Sequence, residues 1–397
     1  MTTRPTVVRR SSGLEGGLIF VTGADGEKGF QIAMALLSMR QQYGRLRVFD
    51  ILAAVNRRDS DRAMHLVALG ARVVVVNPLT DKEGVEAALQ DVIKLCLVID
   101  PLGDDIKRAE TFQYGQRQVA TTEPVGRVCS CLLKMDGLIR YADAANKAGV
   151  RHVLFLTTSS MHDPKTPPTT PSGGDTESMG SYRIQFLMLE AYLAQQFPPQ
   201  SLTLLRHPGI LYQHLLYFSS HVKSHNAIPM PFTHNNVTIE TSNLSDIATA
   251  AAFILVAPKS AHGGKSFKIT SPRLYTLEEL EQRASDGLGR GITVENIQPQ
   301  SLRTLLYNVL LEQPGHIDDK VTYLLELWGL QERLAAPPSP PLPSGRLSTR
   351  VESTRDLELL TGKSGVEVRD WFREMRHVFI PDLLIQPLVP GQTVEHP

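Results

Sequence analysis

Three glycines spaced three residues apart, Gly23, Gly26 and Gly29, stand in the run Leu18-Ile-Phe-Val-Thr-Gly-Ala-Asp-Gly-Glu-Lys-Gly29. A short apolar stretch precedes them, and a stretch with apolar residues at helical spacing follows. The chemistry open to such a turn is capture of an anion by main-chain groups. Gly23 can supply the positive φ of a strand-to-helix turn, Gly26 lets the backbone approach a diphosphate, and Gly29 lets the new helix pack on the strand. The helix that opens here offers unpaired N–H groups and the positive end of its dipole. Asp25, Glu27 and Lys28 are interleaved with the glycines, and Lys28 reads either as a phosphate contact or as a solvated lysine. A strand before, a helix after and a second strand ending in Asn56-Arg57-Arg58 turn three glycines into a dinucleotide-site signal. An acidic residue at that second strand end would bond a ribose 2′-hydroxyl, whereas arginine accommodates a 2′-phosphate. Arg57 and Arg58 therefore favour NADP(H) over NAD(H). Asn77 and Leu79 are expected to border the adenine, and Pro101 to stand on the same rim.

The elements that must position these groups alternate. After the glycine turn and its helix come apolar runs within 45–55, 71–76, 95–100, 151–157 and 201–206, with helical patterns between most of them. Near-continuous apolar strands alternating with helices imply βαβ crossovers and a parallel sheet covered on both faces. Ligands in such sheets lie at the carboxyl ends of the strands. The expected fold is α/β, a doubly wound parallel Rossmann sheet with a smaller, mostly helical C-terminal substrate-binding region. Residues 1–16 read as a disordered lead-in, 17–206 with 237–271 as the Rossmann domain, and 207–236 with 272–397 as the smaller region. Residues 104–127 read as an insertion, 161–180 as a mobile loop, and Ala335–Gly345 as a proline-rich linker. Further strands are expected over Asn235–Glu240 and Ser266–Thr270. Helices are expected over 181–197, 248–256, 300–312, 318–334 and 365–376, with Leu244-Ser-Asp-Ile as a cap and Thr276 and Glu279 as a capping box.

With 397 residues, zero formal net charge and 42% apolar content, the composition is that of a soluble globular protein of one large domain or two intimate ones. Neutral charge argues against nucleic acid or an anionic membrane as the main partner. No apolar run reaches the ~20 residues of a membrane span, and the N-terminus lacks a signal-peptide core, so a cytoplasmic location is expected. The three cysteines, Cys96, Cys129 and Cys131, form neither a disulfide framework nor a zinc pattern, and the histidines at 162, 214, 221, 225 and 234 show no metal spacing. No metal is expected.

The order of motifs resembles the NmrA-like proteins, atypical short-chain dehydrogenase/reductases. The matching pieces are Val21-Thr-Gly-Ala-Asp-Gly-Glu-Lys-Gly29, Asn56-Arg57-Arg58, Ala68-Leu-Gly-Ala-Arg-Val-Val with Asn77-Pro-Leu-Thr-Asp81, and Ala148-Gly-Val-Arg-His-Val-Leu-Phe-Leu-Thr157. Leu204-Leu-Arg-His-Pro-Gly209, Leu244-Ser-Asp-Ile-Ala, Phe267–Pro272 with Tyr275–Glu279, and Thr354–Gly362 extend the likeness over about residues 17 to 377. The resemblance implies NADP(H) in a cleft between a Rossmann core and a helical C-terminal region. It also implies relatives of two kinds, reductases and regulators that bind the cofactor without turnover.

The proton-transfer group is where the chain departs from that pattern. Conventional short-chain dehydrogenases use Tyr-x-x-x-Lys, and here Tyr182-Arg-Ile-Gln-Phe186 places phenylalanine at the lysine position. NmrA-like reductases often carry a lysine four or eight residues before a helix glutamate. Counting back from Glu190 reaches Phe186 and Tyr182. Tyr182 remains the first candidate for an acid or a substrate anchor, beside the alternative of an aromatic packed at a helix start. Thr157, Thr158 and Ser159 follow the fifth strand and could donate to a substrate oxygen, although such hydroxyls commonly bond backbone. His207 could reach the same rim or be structural, and Ser245 with Asp246 reads as a helix cap. The expectation is an NADP(H)-binding oxidoreductase acting on a small hydrophobic, secondary-metabolite-like substrate. Two alternatives stay open: an NADP(H)-dependent isomerase or cyclase without net redox change, and a redox-sensing regulator.

Overall fold

A computed structural model describes residues 17–43, 49–100, 130–158, 182–232, 237–311, 317–335 and 353–380. The readings for 1–16, 104–127, 161–180 and 336–345, and for Pro101, Cys129, Ser159, His162 and His234, fall outside these residues.

The first half alternates strand and helix as expected: β1 (Leu18–Val21), α1 (Glu27–Tyr43), β2 (Asp50–Val55), α2 (Asp61–Ala68), β3 (Arg72–Val75), α3 (Lys82–Ala88), β4 (Val92–Val98), α4 (Ser130–Ala148), β5 (His152–Thr158), α5 (Tyr182–Gln196) and β6 (Leu202–His207). The chain continues through β7 (Ile210–Leu211), α6 (Ser219–His225), β8 (Ala227–Met230), β9 (Thr238–Ile239), β10 (Thr241–Ser242), α7 (Leu244–Val256), α8 (Lys259–His262) and β11 (Ser266–Lys268). After them come β12 (Tyr275–Thr276), α9 (Leu277–Leu288), β13 (Thr293–Asn296), α10 (Pro299–Leu310), α11 (Ile317–Ala335), α12 (Asp356–Thr361), α13 (Val368–Glu374) and α14 (Arg376–Phe379).

Seven strands form one parallel sheet in the order β11-β6-β5-β4-β1-β2-β3. The direction of winding reverses between β1 and β4, so the carboxyl ends of these two strands frame the crevice where such sheets bind ligands. One apolar layer packs α1 and α7 on the sheet, with Ile32, Ala33 and Leu36 against the alanine-rich stretch Ala248–Ala252. The opposite layer holds α4 and α5 and runs without a break into the C-terminal region, taking in Trp328, Trp371 and Phe379. Beyond these, β7 pairs with β10, β8 with β13 and β9 with β12 as small two-stranded ladders.

Two boundaries move for identifiable reasons. β4 begins at Val92, three residues before the apolar run read from sequence, because Lys94 is buried in it and its ammonium donates to the Ala257 carbonyl. Helix α7 begins at Leu244 with Asn243 as its cap, accepting from the Ser245 N–H at 3.2 Å, so Leu244–Ile247 are its first turn. Asp246 is accordingly not a cap. Its Oδ2 accepts from the Val366 N–H at 2.8 Å and ties the C-terminal segment to α7. The capping box at Thr276 forms as read, with reciprocal bonds to Glu279 of 3.1 and 2.9 Å. Among the described residues no helix is long and apolar enough to cross a membrane.

Candidate functional site

The glycine turn between β1 and α1 is built as its spacing requires. Gly23 adopts φ +60°, and the Gly26 N–H donates to the Gly23 carbonyl at 3.0 Å. A Cβ on Gly29 would meet the Gly23 carbonyl oxygen at 2.2 Å, so the helix can lie this close only with glycine there. The turn is pinned from both sides: Thr22 Oγ1 accepts from the Val98 N–H at 2.9 Å, and the Ala24 N–H donates to Ala54 O at 2.8 Å.

An open cleft lies at this end of β1, β2 and β4. Gly23, Gly26, Asn56, Pro78, Asp100, Leu138 and Tyr141 are among its lining residues. Asp25 lines it too, and its carboxylate accepts from the Asn56 N–H at 2.6 Å, joining the glycine turn to the end of β2. Arg57 and Arg58 follow Asn56 and are exposed, with Arg57 Nε 3.7 Å from Asp59. Pro78 lines the cleft, while Asn77 shapes the turn by accepting from the Leu79 N–H at 2.9 Å. A third cation, Arg62, is one that the motifs do not mark. It donates to the Asp25 carbonyl at 2.9 Å and stands over the Phe30 ring at 5.8 Å.

At the start of α1 the turn meets an internal carboxylate. Asp100, two residues past β4, accepts from the Glu27 N–H at 2.9 Å and the Lys28 N–H at 3.5 Å through Oδ2. Burial and then the Asp100 charge push the Glu27 carboxyl up, against opposing pulls from Arg62 and Lys28.

Lys28 is buried, 3% exposed, which removes the solvated alternative. Its charge, after burial, helps to hold the imidazoles of His207 and His214 down, the latter to about 3. His207 places Nδ1 against the Pro208 carbonyl, so that nitrogen carries the proton, and its buried Nε2 has no hydrogen-bond partner. Tyr182 is buried at the first residue of α5, its ring 4.9 Å from that of Tyr323 on α11. Its N–H donates to Glu326 Oε2 at 3.2 Å. Tyr323 is raised well above the ordinary tyrosine value by burial and then by the Asp100 charge. Tyr217 is likewise raised by burial, then by Glu27 and Asp100.

Thr157 is drawn away from this group. Its hydroxyl donates to Glu190 Oε1 at 2.8 Å, and Glu190 is clamped by Arg206 at 3.0 and 2.7 Å. The structure thus gathers Gly23, Asp25, Gly26, Asn56 and Asp100 around the cleft. Lys28, His207 and His214 form a buried neighbourhood beside it, and Thr157 belongs to a separate ionic network.

The buried imidazoles predict acid sensitivity. His152 is held down to about 4 by burial and then by Lys94, and its Nε2 lies 2.8 Å from Thr203 Oγ1. At His152 and His214 the unfolded chain binds protons near pH 6.5, whereas the folded chain does so only near 4 and 3, so the stability they contribute is complete above 6.5 and falls with pH below it. Each histidine contributes a slope of at most about 1.4 kcal/mol per pH unit. Asp246, raised to about 6 by burial, opposes one of them between 6 and 3.8. Urea midpoints at pH 7.5 and 5.0 should show a net loss at the lower pH, reduced in His152→Gln; equal midpoints would refute it.

No protein-family model and no curated protein sequence matches the chain. Solved structures do. A triphenylmethane reductase from Citrobacter sp., described in the bioremediation of triphenylmethane dyes and also solved with NADP(H), aligns at TM-score 0.62 and 17% identity over 90% of this chain and 99% of its own. An NADPH-dependent quinone oxidoreductase from Escherichia coli aligns at TM-score 0.59 and 18% identity, with the same coverage. NmrA, a negative transcriptional regulator solved with NAD and with NADP, aligns at TM-score 0.58 and 14% identity over 92% of this chain and 96% of its own. At these identities the likeness establishes the fold, which is the one the motif order resembles.

Proposed function

We propose that the chain is an NADP(H)-binding oxidoreductase for a small hydrophobic organic substrate. The observation that carries the reading is the cleft at the β1–β4 switch point, floored by Gly23 and Gly26 and continued by Asn56 into Arg57 and Arg58. NADP(H) cofactors in the fold neighbours support it. The adenosine half of such a cofactor fits: Pro78, Leu138 and Tyr141 offer apolar walls, and Asn56 stands at the ribose edge. Arg57 and Arg58, with Arg62 nearby, would hold the 2′-phosphate as charge-assisted donors. The diphosphate position fits only if the Asp100 carboxylate gives way, since it already takes N–H groups of the α1 terminus.

Bound NADPH would supply the hydride, which leaves the chain to position the substrate and to deliver a proton where the substrate needs one. Tyr182, the first-ranked acid from sequence, is packed on Tyr323 and buried. Of the groups beside Lys28, the His207 Nε2 is an acceptor fixed by the tautomer, so it has no proton to donate, and burial with the Lys28 charge makes it a weak base. With the Thr157 hydroxyl committed to Glu190, a proton-requiring reduction would draw on water or on a hydroxyl further along this strand end, whereas an iminium-like acceptor needs none. The packing of Tyr182 against α11 favours a second reading, a cofactor-binding regulator without turnover; a negative transcriptional regulator solved with NADP is among the neighbours.

Isothermal titration with NADPH, NADP⁺ and NADH tests the binding. The 2′-phosphorylated forms should bind more tightly, and Arg57→Ala/Arg58→Ala should remove the preference, a loss of about tenfold or more. Equal affinity for NADH and NADPH would overturn the cofactor assignment. Consumption of NADPH across a panel of quinones, dyes and imines then separates a reductase from a regulator or a non-redox enzyme, either of which would bind and leave every acceptor unreduced.

A further inference from the structure

We infer that Asp100 is a built-in competitor for the diphosphate of a dinucleotide entering the β1–β4 crevice, so that binding requires its carboxylate to leave the start of α1. The inference rests on the dinucleotide reading above and concerns what sets the affinity of that site. Main-chain N–H groups at a helix start, preceded by a glycine turn, are an anion receptor. Here the anion is supplied by the chain itself, with Asp100 Oδ2 at 2.9 Å from Glu27 N and 3.5 Å from Lys28 N. The same oxygen lies 2.9 Å from the place a Cβ on Gly26 would take, so it occupies the close approach that a glycine at this position leaves open.

The surrounding charges sharpen the competition. Glu27 already feels Asp100 as a second negative charge, enough to contribute to raising its carboxyl. A diphosphate placed beside both would add a third anionic group within a few ångströms, at a cost set by the low local dielectric. With the Asp100 carboxylate removed, the same spot offers the two N–H groups, in a neighbourhood where the Lys28 and Arg62 charges already act on Glu27 and favour an anion. The chain therefore carries a receptor for diphosphate and an internal anion holding it. Asp100 lies beyond the last paired residue of β4, so its side chain can turn away without unpairing the sheet.

The test uses the full chain, Asp100→Ala and Asp100→Asn, titrated calorimetrically with NADPH, ADP-ribose and 2′-AMP. NADPH and ADP-ribose carry the diphosphate, and 2′-AMP has the adenosine and 2′-phosphate without it. Asp100→Ala should tighten NADPH and ADP-ribose by about tenfold to a hundredfold, the range of a charge-assisted hydrogen bond released to the ligand, and leave 2′-AMP unchanged. Asp100→Asn, uncharged yet still able to accept from Glu27 N–H, should give a smaller gain in the same ligands, and it decides alone if the alanine variant does not fold. Binding by the wild type with no gain in either variant overturns the inference. So does an equal gain for 2′-AMP, which would make Asp100 a plug of the whole cleft. If wild type and folded variants all fail to bind NADPH and ADP-ribose, the dinucleotide reading itself falls and the inference with it, a result distinct from the first two.

Discussion

Gly29→Ala should cost about 3 kcal/mol or more of folding stability, or leave no folded protein to measure. The clash is one of an added carbon against backbone. A Cβ at this position would lie 2.2 Å from the Gly23 carbonyl oxygen, 2.6 Å from the Gly23 carbonyl carbon and 2.7 Å from the Thr22 carbonyl oxygen. None of these is the end of a flexible side chain, so the whole of α1 would have to back away from β1. That movement is resisted by the apolar layer of Ile32, Ala33, Leu36 and Leu37 that seats α1 against α7 and the sheet. The same Gly→Ala change at Gly329, inside α11 with nothing within 4 Å of the added carbon, should stabilise by up to about 1 kcal/mol through helix propensity. Urea melts of the two variants decide the matter: equal midpoints would mean that α1 can lift off without loss and that close packing does not set the turn.

What could be read in the chain beforehand divides along the range of the interactions. The glycine turn, the switch from strand to helix and the capping box at Thr276 are local, written within a dozen residues, and they stand in the structure where the sequence puts them. The parallel sheet follows because apolar runs separated by helical segments have few other ways to pair. Asp100 was within reach too, since a carboxylate just past the strand beside β1 must stand opposite the start of α1 in this topology. Its residue type alone does not mark it, because acidic residues at strand ends are ordinarily solvated. Tyr323 and Glu326 are different. They come to Tyr182 from a helix more than a hundred residues downstream, and nothing in Val321-Thr-Tyr-Leu-Leu-Glu326 distinguishes it from any amphipathic helix. The same holds for Asp246, whose place in a helical first turn suggests a cap, while its partner Val366 lies 120 residues on. Lys94 misleads in the opposite direction. A lysine inside an apolar run reads as a strand boundary, yet one carbonyl acceptor lets it be buried within β4.

Thr157 shows how a residue placed by sequence at the chemistry can turn out to serve another purpose, and the test of that purpose carries the second large effect. Arg206→Leu should destabilise the chain by about 3–5 kcal/mol. Glu190 and Arg206 expose only 10% and 14% of their side chains, and Arg206 grips both carboxylate oxygens while its Nε donates to Ser266 Oγ at 3.1 Å. Removing the guanidinium strands a carboxylate that keeps, among the described residues, the Thr157 hydroxyl as its partner. The network joins β5, α5, β6 and β11, so its loss loosens one edge of the sheet. Replacing both charges, as Arg206→Leu/Glu190→Leu, should recover most of the loss, because a well-packed apolar pair removes the uncompensated charge instead of leaving it buried. Thr157→Val then separates structure from chemistry. If the hydroxyl serves Glu190, the variant loses about 1–3 kcal/mol of stability and keeps wild-type NADPH affinity. If it serves the cofactor or substrate, affinity or turnover falls while the urea midpoint stays in place. A double mutant no more stable than Arg206→Leu alone would show that the ion pair is not what holds α5 to the sheet edge.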